Sequence, residues 1–479
     1  MAYNQVTPAI IDELKKISGD RVITGGDINP DYSRDEMPIY GTKMPDVTID
    51  VTSTEEIAAI MKLCNENHIP VTVRGAGTGL VGGCVPVCGG VVLCTMKMKQ
   101  IIEYDEDNMV VRVQPGVLLN DLAEDALTRG LMYCPDPGEK FATLGGNAST
   151  NAGGMRAVKY GATRDYVRAM TLVLPTGEIL KLGAPVSKTS SGYSLINLIV
   201  GSEGTLGIIT ELTLKLIPAP KCTASLVCPY EDLATAIKTV PEFKKAHMNP
   251  QALEFFEREI LISSEEFLGK AVFPREIGGT QVGAYILCTF DANSQDELDG
   301  YVEQGAELVL EHGALDVMLA DTPAKIKDAW AARSSFLEGI EEQTTLLDEC
   351  DVVVPVTQIA NFVLFVNEIA ADYDFKVKMF GHAGDGNLHI YTCSGTGKNA
   401  SDAMALDEFE KQVDDFMTRL YTKTTELGGQ ISGEHAIGYG KVKYLMENLG
   451  PVNIRLQQEI KKVFDPNLIL NPGKVCYKL

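Results

Sequence analysis

Three glycine-rich runs divide the first half of the sequence, and strand-like segments separate them. The first, Gly75-Ala76-Gly77-Thr78-Gly79-Leu80-Val81-Gly82-Gly83, follows the strand pattern Pro70-Val71-Thr72-Val73-Arg74. The second takes in Asp136-Pro137-Gly138 and Thr143-Leu144-Gly145-Gly146-Asn147, then Ser149-Thr150-Asn151-Ala152-Gly153-Gly154. The third is Gly201-Ser202-Glu203-Gly204-Thr205-Leu206-Gly207-Ile208-Ile209-Thr210. One run makes a turn. Three, separated by strands, imply a long ligand threaded along exposed backbone. Gly77, Gly79 and Gly82 form a literal G-x-G-x-x-G, but a nicotinamide-binding Rossmann unit needs a helix to begin there. Gly83 and Pro86 follow, and Pro86 breaks such a helix. No Gly-Lys-Ser/Thr follows, so the run is not a P-loop. What remains is a glycine nest, whose bare N–H groups can bind a phosphate.

The chain has six histidines, and two of them fall in Gly381-His382-Ala383-Gly384-Asp385-Gly386-Asn387-Leu388-His389. Alternating segments flank this stretch, Phe375–Phe380 before and Asn387–Thr392 after, and glycines with Asp385 supply turn chemistry between them. A hairpin would bring His382 and His389 close, pointing one way. Ser432-Gly433-Glu434-His435 follows later in the chain. Two histidines, a carboxylate and a third histidine can make a divalent metal site with a base beside it. Two histidines on a hairpin can also do no more than satisfy local hydrogen bonds.

A length of 479 residues suggests two or three domains. The net charge of −23, from 42 basic and 65 acidic residues, disfavours nucleic acid and anionic membrane as partners. The start, Met1-Ala2-Tyr3-Asn4-Gln5, lacks a basic-then-apolar signal segment, and no apolar run is long enough to insert into a membrane. A cytoplasmic protein is expected. The 11 cysteines form no Cys-x-x-Cys pair, which argues against iron–sulfur clusters and zinc ribbons. Reduced, mostly buried thiols are expected.

Residues 8–18 read as an amphipathic helix stopped by Gly19, and Ser53-Thr54-Glu55-Glu56 opens a helix through Asn67 after the strand Asp46–Val51. Composition shifts after Ile217-Pro218-Ala219-Pro220. A strand at 222–228, a helix at 231–246 and a strand at 251–256 are then followed by a second such set at 281–290, 295–312 and 314–319. This doubled unit resembles a ferredoxin-like sheet with helices on one face. A helix over 323–343 carries Trp330 and Arg333. Val352–Val354 is a strand, a helix over 358–371 precedes the hairpin, another covers 403–427, and the tail from Phe464 is loop-like.

In this order, Arg74–Gly79, Thr143–Gly154, Gly201–Thr210, Gly381–His389, Gly433-Glu434-His435 and Asn471-Pro472-Gly473-Lys474 resemble motifs of the FAD-linked D-2-hydroxy-acid dehydrogenases. That family includes D-lactate dehydrogenase, glycolate oxidase catalytic subunit and D-2-hydroxyglutarate dehydrogenase, within the vanillyl-alcohol oxidase-type flavoproteins. The resemblance implies an α+β fold. A two-subdomain FAD-binding domain would span 1–220 and a ferredoxin-like substrate (cap) domain 221–425, and a segment over 426–479 would return to the flavin and complete the active site. It implies that Arg74, Gly75, Ala76, Gly77, Thr78 and Gly79, with Asp136, Pro137, Thr143, Gly145 and Gly146, hold the FAD pyrophosphate and ribityl chain. Ser149, Thr150 and Ala152, with Glu203, Gly204, Gly207, Ile208 and Ile209, would line the flavin ring and adenine, and Asn471 would return to the cofactor from the tail. Some relatives tether the flavin through a histidine in the first loop. Here Ala76 occupies that region and no histidine falls between His68 and His247, so noncovalent FAD is expected.

Oxidising a 2-hydroxy acid needs the carboxylate held, the hydroxyl proton removed and the C2 hydride delivered to flavin N5. By resemblance, Arg333 is the carboxylate clamp. His382, His389 and Glu434 hold a divalent metal (zinc, iron or manganese) that polarises the hydroxyl, and His435 is the general base. D-lactate is the expected substrate, with glycolate, 2-hydroxybutyrate and 2-hydroxyglutarate open. A metal-free sugar-lactone or phenol oxidase and a non-catalytic electron relay are the competing readings. Relatives pass electrons to a membrane anchor, an iron–sulfur subunit or a soluble electron-transfer flavoprotein. The two-subunit electron-transfer flavoprotein is the partner expected here, with bifurcation to NAD and ferredoxin as a further expectation.

Overall fold

The computed structural model describes residues 3–478; Met1 and Ala2, part of the start expected to lack a signal segment, lie outside them. The chain divides into two compact units. The first takes residues 1–153, 162–219 and 434–479, and the second takes 154–161 and 220–433. The change after Ala219 falls within the Ile217–Pro220 segment where composition shifts. The chain re-enters the first unit at Glu434.

The first unit opens with helix Pro8–Ser18, capped by the Thr7 side chain and ended by Gly19 at φ 60°. Strands Val47–Asp50 and Val71–Arg74 both pair parallel with Val91–Cys94. Helix Thr54–Glu66, capped by Ser53, is the crossover that a parallel pairing needs. It buries Ile57, Ile60 and Met61 against Val47, Ile49, Val71 and Leu93; full burial of such a side chain contributes about 1.5–3 kcal/mol. A second, antiparallel sheet orders its strands Ile101–Asp105, Val110–Val113, Ile208–Lys215, Val167–Val173 and Ile179–Gly183.

No helix follows the first glycine run; bends and turns lead from Gly75 to Val91. The second run departs from the expectation of exposed backbone. Leu144–Thr150 is a helix capped by Thr143, and its first amides are spent inside the protein. Leu144 donates to Val117 O (2.9 Å) and Gly145 to Pro115 O (2.8 Å), and Gly146 donates to Thr143 Oγ1 (3.1 Å). The glycines there serve close packing: a Cβ on Gly145 would lie 3.0 Å from Pro115 O.

The second unit is built on a seven-stranded antiparallel sheet. Strands Cys222–Tyr230, Ala252–Glu257, Ala284–Ala292 and Met318–Ala320 stand in the spatial order fourth-first-third-second, the ferredoxin-like order. The hairpin Lys376–His382/Asn387–Ser394 and strand Leu346–Val353 extend it beyond Ala252–Glu257. Helices cover both faces, not one. Gly305 of helix Gln295–Glu311 lies against Phe290 and Leu226 on one face, and Ile260, Ala332, Phe336 and Ile340 pack on Val227, Phe256 and Tyr285 of the other. The reason is visible in Ala284–Ala292, where all nine residues are buried; a strand buried on both sides needs cover on both.

Candidate active site

The two hairpin strands pair in register, His382 with Asn387 and Phe380 with His389. His382 also pairs with Glu254 on the neighbouring strand, and His389 pairs with Asp351 on the other side. Side chains alternate along strands, so Glu254, His382, Asn387, His389, Glu349 and Asp351 share one sheet face, in line with Phe256, Phe380 and Tyr391. All six are buried. The His382 and His389 rings stand perpendicular, with centroids 5.3 Å apart.

Each histidine has a carboxylate on Nδ1. His382 Nδ1 lies 2.8 Å from Glu254, and His389 Nδ1 lies 3.3 Å from Glu349 Oε1. A carboxylate on Nδ1 fixes the tautomer and presents Nε2 as the ligating atom, the arrangement typical of metal-bound histidine. Arg333, on helix Pro323–Ser334, directs Nε (2.9 Å) and Nη2 (2.6 Å) to Glu254 Oε2. Its guanidinium stacks on Phe380 and Phe336. Burial raises the Glu254 carboxyl, but His382 and then Arg333 outweigh it and hold the group below the usual carboxylate range.

Asp351 accepts from Asn387 Nδ2 (2.7 Å), Ser432 Oγ (2.8 Å) and the Gly433 amide (3.0 Å). Gly433 is thereby tied to the cross-strand neighbour of His389, and Glu434 is the next residue. Within the first unit, Glu434 Oε1 lies 3.7 Å from His435 Nε2. A Cβ added to Gly153, at the end of the second glycine run, would lie 2.9 Å from Glu434 Oε2.

The residues assigned to the flavin all belong to the first unit. Arg74 is buried; its Nη1 donates to Arg34 O (2.6 Å) and Cys84 Sγ (3.1 Å). Gly77, at φ 87°, leaves room for that guanidinium, with which any Cβ would collide. Asp136 pairs with Lys140. Asn471 Oδ1 accepts from Val73 N (3.0 Å) and its Nδ2 donates to Glu203 O (2.7 Å). Glu203 N donates to Ser149 O (2.7 Å). Three separate segments assigned to the cofactor are thus tied together. The Glu203 carboxylate points to the loop after His435, which sequence reasoning did not foresee. Glu254, Glu349 and Asp351 were also passed over, although a lone carboxylate within Ala252-Leu253-Glu254-Phe255-Phe256 is a signal, because a buried charge requires a partner.

The family described as FAD linked oxidases, C-terminal domain, matches residues 219–475, and that described as FAD binding domain matches residues 45–183. A D-lactate dehydrogenase of Anaerostipes hadrus is 62% identical over 100% of this chain and 99% of its own length. Glycolate oxidase subunit GlcD of Bacillus subtilis (strain 168) is 39% identical over 93% of this chain and 92% of that protein. The crystal structure of p-cresol methylhydroxylase with substrate bound aligns at a TM-score of 0.78 and 18% identity, covering 98% and 96% of the two chains. At that identity it shows the fold alone, that of the vanillyl-alcohol oxidase-type flavoproteins. With the FAD-linked oxidase model matched over more than half its length, and relatives matched end to end, this chain belongs to the FAD-linked D-2-hydroxy-acid dehydrogenases.

Proposed function

We propose that this chain oxidises D-lactate to pyruvate. The observation that carries the substrate is the full-length 62% identity to a D-lactate dehydrogenase. Bound FAD supplies the hydride acceptor for the C2 hydrogen. His435 takes the hydroxyl proton as general base, so that the O–H bond gives up a proton, the C2–H bond gives up a hydride, and the C2=O bond of pyruvate forms. Arg333 uses its Nε–Nη2 edge on Glu254 and keeps its other edge for the substrate carboxylate.

His382, His389 and Glu434 would hold a divalent metal. The two histidines suit one: both imidazoles are buried, and each is oriented at Nδ1 by its own carboxylate. A metal there supplies polarisation of the substrate hydroxyl, which eases its deprotonation. Electrons would leave for an electron-transfer flavoprotein, and coupling to NAD and ferredoxin belongs to the same reading.

Anaerobic mixing with D-lactate, L-lactate, glycolate and D-2-hydroxyglutarate tests the substrate. Bleaching of the flavin absorbance is expected with D-lactate and not with L-lactate. Faster bleaching by glycolate would move the assignment to the activity named for the Bacillus relative, and no bleaching by any of the four would overturn it.

A further inference from the structure

We propose that Glu203 is a positioning residue for His435, joining the turn assigned to the flavin to the loop that carries the base; this deepens, and rests on, the reading of His435 as that base. Glu203 is buried, with its backbone at φ 53°. Its backbone is tied to Ser149 on one side and Asn471 on the other. Its carboxylate reaches across to a different segment: Oε1 accepts from Ile437 N at 2.9 Å and Oε2 from Gly438 N at 2.6 Å. These amides lie two and three residues after His435. A carboxylate on two backbone N–H groups makes charge-assisted bonds that are stronger and more directional than neutral ones.

The loop it grips is strained and held from other sides. Ala436, between His435 and Ile437, lies at φ 74°, a conformation that a side chain disfavours and that persists only where the surroundings impose it. Val81 O accepts from Tyr439 N (2.9 Å) and Gly440 N (3.0 Å), and Gly438 O accepts from Val475 N (2.9 Å). These contacts fix the far end of the loop. On the His435 side of Gly438, the Glu203 carboxylate holds the next two amides, so the direction in which the chain presents His435 depends on it. Because the Glu203 backbone is itself fixed by Ser149 and Asn471, the base loop is referenced to the segments assigned to the cofactor.

A double-substitution cycle tests this. Wild type, Glu203→Gln, His435→Ala and the double variant are loaded with FAD, checked for flavin stoichiometry, and reduced by D-lactate in anaerobic stopped flow. Glutamine keeps the shape but sets an NH2 against one of the two amides. Glu203→Gln is expected to slow flavin reduction by about 10- to 100-fold, since small displacements of a reacting group have that cost, and to speed hydrogen exchange at the Ile437 and Gly438 amides. On the His435→Ala background it should add no further slowing, because its effect runs through that residue. Equal slowing on both backgrounds, or a wild-type rate in Glu203→Gln, overturns the proposal. A wild-type rate in His435→Ala removes the base reading instead. Should Glu203→Gln fail to retain FAD, Glu203→Asp decides. It keeps the charge but shortens the reach to the Ile437 and Gly438 amides, so flavin should stay bound while reduction slows, and an unchanged rate overturns the proposal.

Discussion

Glu254 has no exposed surface, and an ionised carboxylate survives there only because Arg333 and His382 surround it. Removing one partner of a buried pair leaves the other uncompensated, which costs more than the pair contributes. Glu254→Ala should therefore destabilise the protein by about 3–5 kcal/mol, read as a lower midpoint in urea, and should loosen His382. Glu254→Gln, which keeps an acceptor for Arg333, should be milder on both counts; equal losses in the two variants would show that shape, not charge, is what matters at this position. The histidines of this row were legible in the sequence because histidine is rare in this chain and glycine flanks it. Their carboxylates were not. In a strand, Glu254, Glu349 and Asp351 read as members of a solvated face, and only the register of four neighbouring strands shows that the face is covered.

The hairpin was readable as an element, because turn residues separate two alternating segments. Its turn depends on Gly386, at φ 91°, where a Cβ would collide with Val354 O. Gly386→Ala should cost about 1–3 kcal/mol from backbone strain, with further loss from the collision, and should shift His382 relative to His389. Metal analysis alongside a melting curve checks it: lowered stability with full metal content would separate the turn from the ligand geometry. Other elements were less legible. Helix Arg258–Leu268 begins directly after strand Ala252–Glu257, with no glycine or proline to mark the change. The helix read over 323–343 is two, Pro323–Ser334 and Phe336–Glu342, parted at Ser335 with ψ 21°. Helices Val442–Asn448 and Pro451–Phe464 went unread before a tail dominated by its Asn-Pro-Gly motif. The second glycine run looked like open backbone because composition does not show whether glycine serves a ligand or close packing.

At the scale of the whole molecule, the open question is where two electrons go after each turnover. Among the described residues all the cysteines are free, and no helix is long and apolar enough to cross a membrane. The sequence holds no cluster-binding spacing that would extend an electron path beyond the flavin. On the proposal that a docking protein re-oxidises the flavin, the net charge of −23 makes that encounter sensitive to ionic strength. Steady-state D-lactate oxidation should be slow with oxygen or free quinone and should rise when the cognate electron-transfer flavoprotein is added, with a rate that changes with salt while the anaerobic flavin-reduction rate does not. That contrast separates docking from chemistry, because only the second-order step between proteins is screened. Turnover with oxygen or quinone equal to that with the flavoprotein would remove the partner and leave the dehydrogenase reading in place.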